Sequence, residues 1–160
     1  MTRWLFAVAV AAFTLVGTSE IVAQSDSHIG VWKLNLAKSK STPPPPNPPP
    51  QSVVRTYQAF EGDGIKATFV TVSADGKQST STYSAHFDGK EYPITGGGNL
   101  TAIAMKRVDA NTWSTVTKGP KTVITGTNTV SKDGKTMTWS YTGTNAQGQP
   151  VSVVQIFEKQ

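Results

Sequence analysis

YSAHFDGKEYPITG, residues 83–96, is the stretch on which the fold reading turns. Tyr83, Ala85 and Phe87 fall on one side of an extended chain, Ser84 and His86 on the other. Asp88-Gly89 supplies the positive φ angles that a tight hairpin turn needs. Pro93 has no amide hydrogen, which limits the return strand to a sheet edge, a bulge or a strand end. The stretch reads as strand, Asp-Gly turn, strand, and the chain after the proline run repeats that grammar.

Working outward, strand signals recur at the short, regular spacing of an all-β sandwich or barrel. Residues 53–60 and 65–73 flank the turn Glu61-Gly62-Asp63-Gly64, and Ala74-Asp75-Gly76-Lys77 leads into 79–87. Strands over 91–95, 100–108, 112–118 and 122–131 follow, the first ended by Gly96-Gly97-Gly98. Lys132-Asp133-Gly134-Lys135 opens 136–143, and 151–159 is the last strand. Upstream, IGVWKLNL at 29–36 is the first, with Trp32, Leu34 and Leu36 on an apolar face. About ten strands, no helix and short loops predict an up-and-down antiparallel meander. Such a sheet either closes or leaves two edges exposed, so closure into a barrel is expected.

Between the first strand and the rest lies a proline-rich strap at 41–51, within a segment that carries seven of the ten prolines. Without amide hydrogens, residues 43–50 cannot join a sheet and are expected as an extended, semi-rigid polyproline crossing.

Arg3 is the only charge before an apolar run from Trp4 to Val16, broken only by Thr14. That is the length of a signal-peptide core, short of the ~20 residues that span a bilayer. Residues 1–23 are therefore expected to be a signal peptide cleaved after Ala23, leaving 24–160 as one domain in the periplasm or outside the cell, with no stable membrane span. The chain has no cysteine, which excludes a lipidated cysteine and disulfides, so the core alone must hold the domain. Net charge is +5 from 15 basic and 10 acidic residues, and losing Arg3 and Glu20 leaves it unchanged. The charges are scattered, without the basic stripe and interleaved aromatics of a nucleic-acid binder, so no nucleic-acid partner is expected. Oligomeric state is left open.

Few residues have the spacing that chemistry needs. Each Asp-Gly-Lys triplet, at Asp75, Asp88 and Asp133, offers one carboxylate where a calcium loop needs several, so all three read as hairpin turns and no metal or cofactor is expected. The triple glycine precedes a strand, so the helix N-terminus that would hold phosphate is missing. His28 has no ligand neighbours and reads as a solvent-exposed residue of a flexible leader. His86 beside Asp88 resembles an oriented base, but neither a cysteine nor a Gly-x-Ser-x-Gly elbow supplies a nucleophile. Thr125, Thr127 and Thr129, alternating with Val123, suit either a wet cavity or a solvent-facing strand. Phe69, Tyr83, Trp113, Trp139, Tyr141 and Phe157 lie on apolar strand faces, as pocket lining or as packed core.

Gly30-Val31-Trp32 at the head of the first strand, followed by the meander, resembles the lipocalin-like, or calycin, superfamily. GVWKLNLAKSK, the proline strap, FDGKEYPITG, KDGKTMT and TNAQGQPV also resemble a group of small exported bacterial proteins of unassigned function. The calycin resemblance implies that Trp32 closes one end of a barrel, often beneath a basic residue from the last strand. Here only Lys159 is available, and prolines stand where lipocalins have a helix. It also implies a barrel that binds a small hydrophobic or amphipathic molecule. The leading expectation is a non-enzymatic exported carrier with Phe69, Tyr83, Met105, Trp113, Trp139 and Tyr141 as lining. The alternative is an envelope interaction module with a filled core. An enzyme would have to work through His86 or a carboxylate such as Glu91.

Overall fold

The computed structural model describes residues 26–44, 48–144 and 148–160; the expected signal peptide lies outside them. Ten strands follow one another: β1 Gly30–Thr42, β2 Ser52–Phe60, β3 Gly64–Val72, β4 Gln78–Ala85, β5 Asp88–Pro93, β6 Ala102–Arg107, β7 Thr112–Gly119, β8 Thr122–Val130, β9 Thr136–Thr144 and β10 Pro150–Lys159. No helix occurs among the described residues. Each strand pairs antiparallel with its chain neighbours, except at one place, and β1 pairs with β10. The meander thus curls into a nearly closed barrel joined through its first and last strands.

The exception is the stretch quoted first. Tyr83 to Gly96 does not form a hairpin: β4 and β5 are the two edges of the sheet order, and the backbone link between them is an isolated bridge from Thr82 of β4 to Thr95, just beyond the end of β5. Two backbone hydrogen bonds of 2.9 Å there close the seam. Asp88-Gly89 is not a turn between paired strands but a bulge inside β5, opposite Lys106 of β6. A two-residue type I′ turn needs positive φ at both positions, and only Gly89 has it, at 79°. The Asp88 carboxylate instead accepts from the Lys90 amide at 2.9 Å and the Tyr92 hydroxyl at 3.0 Å, which stabilises the bulged strand. Pro93 is the last residue of this edge strand, where its missing donor costs nothing. The triplets at Asp75 and Asp133 do make turns, each carboxylate accepting from a serine hydroxyl and a backbone amide.

Alternation sorts each strand into an inner and an outer face. Trp32, Tyr57, Ile65, Ala67, Tyr83, Ile103, Met105, Trp113, Met137 and Phe157 point inward and are buried. Val123, Thr125, Thr127 and Thr129 are exposed, so the threonine row of β8 is the solvent face, while Thr122, Asn128 and Val130 turn inward. β1 continues six residues beyond the expected Leu36, through a register break between Asn35 and Lys40, and leaves Leu36 at 40% exposure. Strand pairing stops at Thr42 and resumes at Ser52, and the described prolines between them belong to no strand.

Candidate functional site

The two ends of the barrel are built differently. At one end Trp32, Trp113, Met105, Met137 and Phe157 are at most 1% exposed and pack into one cluster. Trp32 donates through Nε1 to the His28 carbonyl at 2.9 Å, tying the segment before β1 across this end. Lys159, opposite Trp32 in register, sets its ammonium 5.1 Å from the centre of the indole ring. Gly30 is needed for that arrangement: its φ is 137°, and a Cβ there would stand 2.7 Å from Lys159 Cε. Lys159 thus stands where the resemblance implies a basic residue from the last strand.

His28 is a correction to the sequence reading, which left it in solvent. It is fully buried beneath this end, 4.7 Å from the Trp113 ring centre and 5.4 Å from that of Phe87. Burial lowers its pKa from 6.5 to about 4; Asp26 opposes this, and the Arg107 and Lys159 cations add to it. Asp26 approaches His28 Nδ1 at 2.7 Å and is itself held by Arg107 at 2.6 Å. The leader is therefore a buckled plug, because the imidazole finds an aromatic slot that its sequence neighbours do not reveal.

Toward the other end the inward residues change character. Val53 and Arg55 of β2, Phe69 and Thr71 of β3, Ser81 and Tyr83 of β4, Thr115 and Thr117 of β7, Asn128, Trp139 and Gln155 surround a cavity of about 260 Å³. Short hydroxyl side chains at four of these positions leave the space that larger residues fill at the closed end. A second space, of about 650 Å³, lies between Leu34, Leu36, Tyr141 and Val153 on one side and Pro44 and residues 48–50 of the strap on the other. Gln155 borders both spaces.

Arg55 is the centre of the hollow half. It is 6% exposed, and its guanidinium lies 4.2 Å from the Trp139 and Phe157 ring centres and 4.9 Å from that of Phe69. One terminal nitrogen donates to Gln155 Oε1 at 3.1 Å, while Nε has no partner. Tyr57 and Tyr83 both stand edge-on to Phe69, with ring centres 5.8 and 5.6 Å from its own. Burial raises the pKa of Tyr57 above 10 and that of Tyr83 well above it, so both are neutral donors at physiological pH. The Asn128 side-chain oxygen is also buried without a partner.

Of the residues singled out in the sequence, Phe69, Tyr83 and Trp139 come together around the smaller cavity. Tyr141 stacks on Trp139 with ring centres 4.3 Å apart and faces the larger space. Met105 and Trp113 sit in the closed end and border neither. His86 meets Asp63 of the β2–β3 turn at 3.2 Å rather than Asp88, and Glu91 is ion-paired with Lys118. Arg55 and Tyr57 were missed, although an arginine alternating with Val53 and Tyr57 on a strand face was a visible signal.

Solved structures of similar shape are small β-barrels. A zebrafish ileal bile-acid-binding protein, solved with cholic acid, is 17% identical and superposes over 84% of this chain and 99% of its own, with a TM-score of 0.50. The chain has a lipocalin-like barrel fold. A Schistosoma mansoni fatty-acid-binding protein, solved with arachidonic acid, is 16% identical over 84% of this chain and 96% of its own, at 0.49. A redesigned beta barrel is 10% identical over 84% and 92%, also at 0.49. No protein-family model and no curated protein sequence matches the chain. Identities this low speak for the lipocalin-like fold and not for its cargo.

Proposed function

We propose that this protein is an exported, non-enzymatic carrier that holds one small hydrophobic or amphipathic molecule inside the barrel. The observation that carries this reading is the hollow half: a cavity of about 260 Å³ walled by Phe69, Tyr83 and Trp139 and by a few buried polar groups. An apolar chamber with sparse, placed polar atoms is the general form of a small-molecule site. The barrel of similar shape that was solved with cholic acid agrees with it. His86 and Glu91 stand outside this chamber, His86 against Asp63 and Glu91 against Lys118, so the residues that an enzyme would need are spent on surface contacts. The signal-like residues 1–23 support export to the periplasm or beyond.

Native mass spectrometry of protein purified gently from its own exported fraction tests the reading. A native mass above the polypeptide by a discrete few hundred daltons, lost on denaturation, is the expected result. A bare mass, together with no uptake of neutral apolar probes, would overturn it in favour of an interaction module.

A further inference from the structure

Five cations on the barrel surface, Lys38, Lys77, Lys90, Arg107 and Lys118, each have a carboxylate within ion-pair distance. Arg55, buried to 94%, has none among the described residues. A guanidinium does not lose its proton in a protein, so Arg55 carries a full positive charge inside the chamber. The three ring faces around it offset part of the cost of taking that ion out of water, but they supply no opposite charge. Gln155 accepts one hydrogen bond from it but is neutral, as Tyr57 and Tyr83 are, so none of the three cancels the charge. Its Nε–H has no partner at all. The chamber is therefore short by one negative charge and one acceptor.

We propose that the cargo is an amphipathic monocarboxylic acid whose ionised head group docks on Arg55 inside the barrel, with its apolar body between the Phe69, Tyr83 and Trp139 rings. This rests on the carrier reading above. A carboxylate has the two oxygens that match the planar fork of a guanidinium, and its single charge neutralises a single arginine. A doubly charged phosphate would leave the chamber as unbalanced as before, with the opposite sign.

The test uses the purified, delipidated protein and N-phenyl-1-naphthylamine, a neutral fluorophore that brightens in apolar surroundings. At pH 8, dodecanoate is expected to displace it at a concentration roughly tenfold or more below 1-dodecanol, the size of effect that one charge-assisted hydrogen-bonded pair gives. In R55Q that preference should collapse to within about threefold, whatever the absolute probe affinity. Equal competition by acid and alcohol in the wild type, or an undiminished preference in R55Q, overturns the assignment of the head group while leaving the carrier reading intact. No probe brightening and no displacement by either compound overturns the carrier reading itself. If R55Q lacks native near-ultraviolet circular dichroism, R55K decides: the charge is kept, so a reduced preference for the acid is expected, and none at all would overturn the proposal.

Discussion

The closed and hollow ends of this barrel are made from the same strands, yet their inner faces are filled in opposite ways. β7 contributes Trp113 to the closed end and Thr115 and Thr117 to the chamber, and β9 contributes Met137 to one and Trp139 and Tyr141 to the other. Two or four residues along a strand, the inner face goes from large, fully buried side chains to short hydroxyls, one arginine and half-buried rings. Filling one end secures the closure of a disulfide-free sheet, which frees the other end from having to pack. The chamber tolerates an unpaired charge only because stability is supplied elsewhere.

If that division holds, truncation at the closed end has the largest effect. W113A removes a fully buried indole that contacts Tyr57, Phe87 and His28, and should destabilise by about 3–5 kcal/mol in urea unfolding. A loss below about 1 kcal/mol would show that the closed end is not the anchor.

Next in size is the pH response of the plug. The unfolded chain takes up the His28 proton near pH 6.5 and the folded protein only near 4, because burial opposes the charged form. The stabilisation due to a neutral His28 is thus complete above pH 6.5 and is lost as pH falls toward 4, by roughly 3 kcal/mol at most. H28F should flatten the difference in that window. Identical pH profiles of H28F and the wild type would mean that the closed end opens to water.

The smallest stability effect, and the largest effect on binding, belongs to the hollow end. W139A and Y141A remove half-buried rings bordering spaces already present, so each should cost under about 1.5 kcal/mol. Uptake of N-phenyl-1-naphthylamine should nevertheless fall about tenfold, as expected for losing one stacked ring. A collapse of folding without a separate effect on uptake would make these rings core, and would erase the contrast between the ends.

Much of the fold was legible because it depends on local chemistry. Period-two alternation and glycine-rich turns placed all ten strands to within a few residues, apart from the extension of β1, and Gly30-Val31-Trp32 marked the end that Trp32 closes. The candidate site was legible in part: Phe69, Tyr83 and Trp139, which line the smaller cavity, stood out as aromatics on apolar faces, while Arg55 and His28 were passed over because polar residues default to solvent. Where the sheet is cut was decided by tertiary structure. Tyr83 to Gly96 has a hairpin's local signature, but the pairing of β1 with β10 and of β5 with β6 outweighs it and puts the seam there. Which inward residues fill space and which surround it was also decided in three dimensions. Alternation says only that a side chain faces the axis; whether it meets a partner there depends on strands far away in sequence, as Arg55 meets Gln155 across 100 residues.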